Sequence, residues 1–209
     1  RMRRNGHPVM AAYDCRNPRR ETFPKGEAWS LHSLSVLTES VRCQLLALEE
    51  AAFPPCERLG TAGLAAFVLQ RTNGMVVAEA RTRRAVLGFC LYSRAASSAL
   101  ITKVAVGAAS RGRGVGSALV ARALQEIVTS SRRPPGEVLL HVDPERKGAL
   151  RMYERFGFEA AERLPGYYPD EHPPYRGRDA LLMRLDTATL SCASPPRGRS
   201  ASGSAVGDG

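Results

Sequence analysis

The spacing of apolar positions changes several times along the chain, and each change marks an element. From Ala28 to Leu34 polar and apolar residues alternate as along a half-buried strand. Thr38 then stands where a helix cap belongs, ahead of Val41, Leu45, Leu46 and Leu48 at helical spacing as far as Glu50. Phe53-Pro54-Pro55 ends that helix, and Thr61 suits the cap of a second one through Leu64, Phe67 and Leu69. Met75–Glu79 and Val86–Tyr92 read as strands joined by the basic turn Arg81–Arg84, and Leu100–Val106 continues the meander. A Gly-rich run follows, then a helix from Val115 to about Thr129, a buried strand Val138–Val142 and a helix Lys147–Arg155. Two last strands fall near Phe158–Leu164 and Ala180–Leu185. The order β-α-α-β-β-β-α-β-α-β-β is that of an α/β protein, and no internal repeat is visible.

Residues 1–28 are rich in Arg, Pro and Gly without sustained periodicity, and residues 187–209 are dominated by Ser, Ala, Gly and Pro. Both are expected to be disordered tails around one domain at 29–186. The 209 residues suit a single domain, and 44% hydrophobic with 24% charged residues excludes wholesale disorder. Arg, Lys, Glu or Pro interrupts every apolar run before the roughly 18 residues a membrane-spanning helix needs, so no membrane partner is expected. The formal charge of +10 invites a polyanionic partner, but the tails carry +4 and +1 of it, which leaves a mildly basic domain. A basic tail also suits tethering to ribosomes. The five cysteines form an odd set with no C-x-x-C pair, and the four histidines are far apart, so neither disulfides nor a structural metal is expected. A reducing compartment, the cytoplasm, is the simpler expectation, although the Arg-rich N-terminus also fits organelle targeting.

The chemistry concentrates after the strand Val104-Ala105-Val106, where Arg111-Gly112-Arg113-Gly114-Val115-Gly116-Ser117 opens a helix. Glycines at a strand-to-helix turn allow close approach of backbone to ligand and leave the first helical N–H groups pointing outward, which makes a phosphate cradle. Two arginines beside it can add charge-assisted hydrogen bonds. A merely solvated Gly-rich connection is the competing reading. The dinucleotide fingerprint and the P-loop are both excluded, since neither the first strand-to-helix turn nor a G-K-[ST] ending is involved.

Val104-Ala105-Val106 followed by Arg111–Ser117 resembles the R/Q-x-x-G-x-G/A motif of the GCN5-related N-acetyltransferases. Leu140-His141-Val142-Asp143 and then Ala149 to Glu159, with Tyr153, Gly157 and Phe158, is similar to that family's strand, Asn and A-x-x-x-Y-x-x-x-G-F block. The resemblance covers about Ser30 to Leu185. It implies a mixed sheet of about seven strands splayed between the fourth and fifth and flanked by four helices, with acetyl-CoA as cosubstrate. The pantetheine arm would follow Val104, Ala105 and Val106 and the pyrophosphate would sit on Arg111 to Ser117.

Tyr153 lies where the family places its general acid, and a tyrosine packed between helix and sheet is the plainer alternative. Alternation through Leu140-His141-Val142 puts His141 on the opposite face from its apolar neighbours, near the splayed opening, where it can serve as general base or simply as a half-buried histidine. Phe53-Pro54 and Gly166-Tyr167-Tyr168-Pro169 are similar to segments that line the peptide slot of protein N-terminal acetyltransferases of the ribosomal-protein and NatE types. A protein or peptide N-terminus is therefore the expected acceptor. Leu100 replaces a tyrosine of those enzymes, Arg146 replaces the usual Asn, and Asp170–Arg178 lengthens the substrate loop. A small cationic amine such as a polyamine or aminoglycoside is the alternative acceptor, for which Glu49, Glu50, Glu57, Asp170 and Glu171 offer carboxylates. A basic nucleic-acid-binding protein is a third reading, weakened by an aromatic content of 6%.

Overall fold

Segments that alternate in the sequence become strands here because a helix can cover each face of the sheet they form. The computed structural model describes residues 28–81, 84–129, 133–168 and 177–191, so most of the expected tails and the loop bearing Asp170 and Glu171 lie outside the described residues. In chain order the elements are β1 (Trp29–Ser33), α1 (Glu39–Ala52), α2 (Gly60–Leu69), β2 (Asn73–Ala80), β3 (Val86–Arg94), β4 (Ser98–Val106), α3 (Val115–Thr129), β5 (Glu137–Val142), α4 (Lys147–Arg155), β6 (Glu159–Tyr168), β7 (Arg178–Asp186) and α5 (Thr187–Ser191). The seven strands form one sheet in the order β1-β2-β3-β4-β5-β7-β6. β4 and β5 run parallel, and the other neighbouring pairs are antiparallel.

One face of the sheet packs on α3 and α4 through Cys90, Ile101, Leu119, Leu124, Leu140, Tyr153 and Met183, and the other packs on α1 and α2 through Leu45, Leu64, Met75, Phe89 and Leu91. Coverage on both sides explains why the central strands read as nearly continuous apolar runs. Helix α1 begins as expected, with the Thr38 side chain accepting from the Val41 N–H. Helix α2 does not use Thr61, which lies inside it. Its start is capped by Glu49 of α1, whose carboxylate accepts from the N–H groups of Leu59 and Gly60 at 2.8 and 3.0 Å. A cap supplied from eleven residues away leaves no local signature at the helix start.

Three further features differ from the reading of the sequence. β6 extends through Tyr168, so Tyr167 and Tyr168 belong to a strand rather than to a loop. A fifth helix starts at Thr187, immediately past the expected domain end, and the Thr187 N–H and hydroxyl donate to the carbonyls of Gly136 and Pro135. Most consequential is a bulge in β4. Leu91 pairs with Lys103 while Tyr92 pairs with Ile101, so Thr102 is an extra residue with an exposed side chain. The extra residue resets the alternation: Ile101 faces the α3 side, whereas Lys103 joins Leu91 on the α1 side.

Glu49 is 1% exposed and its carboxylate also lies 3.5 Å from the Lys103 ammonium. Replacing it with Ala strips a buried cation of its partner and uncaps α2, so Glu49→Ala is expected to lower unfolding free energy by about 3–5 kcal/mol. Glu49→Gln, which keeps an acceptor, should cost less. Urea denaturation followed by circular dichroism checks both.

Candidate active site

The ladder between β4 and β5 covers Ser98–Ile101 and Glu137–Leu140 and then stops. Beyond it, β4 keeps β3 on one side, and its other edge faces the gap from Thr102 to Val106. Backbone groups on that edge have no strand partner, which is what an amide-bearing ligand can supply by adding itself as a strand. The Val104 and Val106 side chains turn toward the α3 face while Ala105 is buried on the other. The Val106 carbonyl accepts from Arg111 Nε at 3.1 Å.

At the far end of this edge the chain turns through Gly112 and Gly114, at φ +71° and +80°, into α3. Only glycine adopts that region at little cost, so the turn explains both residues. A Cβ at Gly116 would come into contact with Met152 of α4 and Val106 of β4. The leading N–H groups of α3, at Val115, Gly116 and Ser117, have no carbonyl one turn behind them, and Arg111 and Arg113 flank them. The arrangement suits a pyrophosphate.

His141 is the first residue of β5 past the shared ladder, paired with Leu182 of β7 on the sheet face opposite Leu140 and Val142. Tyr167 stacks on it with ring centroids 4.5 Å apart and an interplanar angle of 19°. Tyr153 approaches from the opposite face, within the α3 and α4 packing layer, and is 7% exposed. Its ring stands edge-on to Phe158 at 5.8 Å.

A model of the acetyltransferase (GNAT) family matches residues 42–158, more than half of the chain. The chain belongs to this GNAT family. A curated relative, N-alpha-acetyltransferase MAK3 of Arabidopsis thaliana, is 40% identical over 75 residues, which are 36% of this chain and 35% of the relative. The matched part thus spans about a third of that relative. Among solved structures, Arabidopsis thaliana NAA60 in complex with acetyl-CoA superposes with a TM-score of 0.66 at 18% identity, over 77% of this chain and 99% of that one. A spermidine N-acetyltransferase from Vibrio cholerae superposes with a TM-score of 0.61 at 17% identity, over 77% and 95% of the two chains. At such identities the two structures establish the fold alone. GNAT enzymes take acetyl-CoA as cosubstrate, and the open β4 edge and the cradle at α3 fit its amide-bearing arm and its pyrophosphate.

The GNAT fold also assembles charged residues that reading the sequence did not bring together. Arg178, opening β7, donates to Asp143 after β5 and to Glu57 after α1, and its guanidinium lies 5.1 Å from the centroid of the Tyr168 ring. Asp143 is 4% exposed and also accepts from the Glu145 N–H at 2.9 Å. Arg146 lies 3.9 Å from Glu57. Phe53, expected to line the peptide slot, is half-buried beneath two cations, Lys103 Nζ at 4.2 Å and the Arg146 guanidinium at 5.3 Å. The Lys103 ammonium also donates to the Glu57 carbonyl. Pro54 stands at the start of a single 3-10 turn, Pro55–Glu57, which carries Glu57 to Arg178. The two carboxylates that Arg178 joins lie 35 and 121 residues from it, so no local pattern announces the cluster.

Burial decides the protonation states. It holds the His141 imidazole below the ordinary histidine range, raises the Tyr153 phenol, and lowers the Lys103 ammonium against the opposing attraction of Glu49. The Tyr168 phenol is pushed up to about 12 by burial and then by the Glu57 carboxylate. At neutral pH His141 is therefore a neutral imidazole able to accept a proton, and Tyr153 is a protonated phenol able to donate one. A raised Tyr153 gives no alkaline limb of its own at workable pH. Titration of His141 followed by NMR is expected to show a midpoint below 6.5, and a midpoint above that value contradicts the burial argument.

Proposed function

We propose that this domain transfers the acetyl group of acetyl-CoA to the α-amine of a protein or peptide N-terminus, with His141 as general base and Tyr153 as general acid. The observation that supports the reading is that His141, a neutral imidazole, is the first residue of β5 past the shared ladder, while Tyr153, a protonated phenol, packs on the other face of the sheet. Acetyl-CoA, held along Val104–Val106 and on Arg111–Ser117, supplies an activated acetyl thioester. As the amine nitrogen bonds to the acetyl carbon, His141 accepts the proton that the nitrogen sheds. As the carbon–sulfur bond breaks and its electron pair stays on sulfur, Tyr153 donates a proton there and recovers one from solvent. Backbone N–H near Val104 faces the thioester oxygen, where negative charge grows.

The choice of acceptor rests on charge. An α-amine has a pKa of about 7.7–8.0 against about 10.4 for a lysine, so a base of low pKa suits the α-amine. Polyamines want uncommitted carboxylates. Of the carboxylates offered for them, the three among the described residues are committed: Glu49 is paired with Lys103, Glu57 with Arg178 and Arg146, and Glu50 lies 3.8 Å from Arg58. The MAK3 relative, by name an N-alpha-acetyltransferase, supports the same choice. Phe53, Pro54, Tyr167 and Tyr168 flank the acceptor in this reading.

Three variants test it. Gly114→Asp places a side chain and a negative charge at a position of φ +80°, and calorimetry is expected to show acetyl-CoA binding lost while circular dichroism shows the fold retained. His141→Ala is expected to lower turnover by roughly 10²–10⁴-fold and to remove the acidic limb of the pH profile. Tyr153→Phe should depress turnover while leaving acetyl-CoA affinity intact. Each is assayed on peptide arrays varying the first two residues, with internal-lysine and spermidine controls. Spermidine turnover exceeding that of every free N-terminus would overturn the assignment of acceptor.

A further inference from the structure

His141 and Tyr167 make a contact that the proton transfers above do not explain. Tyr167 is 45% exposed, yet its ring is stacked on the imidazole and its hydroxyl oxygen lies 3.3 Å from His141 Nδ1. His141 Nε2 has no partner among the described residues. A purpose-built irregularity delivers the ring. Leu164 pairs with Ala180 and Tyr168 with Arg178, so Pro165, Gly166 and Tyr167 together face Asp179 alone. Gly166 takes φ +62° there. The Asp179 carboxylate pins the bulge by accepting from the Gly166 N–H at 3.0 Å and from Arg163 Nε at 2.8 Å. Tyr168 buttresses Tyr167 edge-on, at 5.0 Å and 86°.

We propose that Tyr167 is a positioning residue for His141: its phenol oxygen accepts from Nδ1–H, and this selects the tautomer whose Nε2 lone pair faces the acceptor. The proposal rests on the reading of His141 as the base. A neutral imidazole carries one donor and one acceptor nitrogen, and the bond made by one nitrogen decides the role of the other. With Nδ1 covered by the phenol, Nε2 is the nitrogen left to meet an amine or a bridging water. If Nε2 carried the proton, His141 would present a donor to the substrate and could not act as base. Stacking holds the ring plane through the transfer, and the phenol oxygen remains bonded to Nδ1–H when the imidazole becomes a cation. Tyr167 thus acts through His141, in addition to bordering the acceptor.

Tyr167→Phe keeps the stacked ring and removes the oxygen. In the full chain labelled with ¹⁵N on histidine, the wild type is expected to show the His141 proton on Nδ1, and Tyr167→Phe should move it largely to Nε2. Turnover on a peptide N-terminus should fall roughly 3–10-fold, the equivalent of one neutral hydrogen bond, with KM for the peptide and acetyl-CoA affinity within about twofold. Tyr167→Ala also removes the cover, so the acidic limb should move up toward pH 6.5 as burial is relieved. Asp179→Ala, which frees the bulge, should shift it the same way. A wild-type proton on Nε2, or an unchanged tautomer in Tyr167→Phe, overturns the proposal whatever the activity. A rise in KM alone, with tautomer and turnover unchanged, also overturns it and leaves Tyr167 as a wall of the acceptor slot. His141→Ala run alongside separates the two claims: normal turnover there removes the base, whereas the tautomer readout reports on Tyr167 in either case.

Discussion

The parting of β4 from β5 after Ile101 and Leu140 is the constraint around which the rest of the domain is arranged. Backbone N–H and C=O groups cannot be sealed away without partners, at a cost of about 1–3 kcal/mol each, so an edge that loses its neighbouring strand must meet water or a ligand. Thr102 marks the place. Its bulge turns β4 at the point where pairing ends and sends Lys103 to the face on which the loop after α1 lies. On the other side of the gap, β5 has a single residue, His141, in which a polar side chain can emerge before Val142 returns to the core. The cradle at Gly112 and Gly114 completes the same edge, because β4 runs directly through a short turn into α3.

Electrostatics then set the character of the opening. Lys103, Arg146 and Arg178 meet Glu49, Glu57 and Asp143 around Phe53 and Tyr168. These pairs join the loop after α1 to the ends of β4, β5, β6 and β7, so one wall of the slot is tied to the other. Buried pairs of this kind contribute little net stability beyond what apolar packing would give, but removing one partner is costly. Their worth lies in placement and in committing the Glu49, Glu57 and Asp143 carboxylates to cations.

Much of this was legible in the residues, and the exceptions share a cause. The bounds of α3 and α4 followed from helical periodicity, and the Thr38 cap lay one residue ahead of α1. His141 on the face opposite Leu140 and Val142 followed from period-two alternation, which holds because β5 is regular from Glu137 to Val142. Alternation is broken in β4 at Thr102 and in β6 after Leu164, where extra residues interrupt the period. A bulge adds a residue without a change in composition, so which residue is the extra one is settled only by the pairing of β4 with β3 and of β6 with β7.

The sequence by itself determined the order of elements through β7, the glycine turn, the family and the sheet face on which His141 lies, because each depends on residues close together in the chain or on a motif of fixed spacing. Tertiary structure alone decided that Glu49 caps α2, that Arg178 joins Glu57 to Asp143, and that Tyr167 lies on His141. Those contacts close loops of up to 121 residues, and a charged or aromatic side chain has no preferred partner until the sheet fixes which chain ends meet. Local spacing encodes the elements, whereas the distances between them, and with these the protonation of the site, come into being only when the fold buries them together.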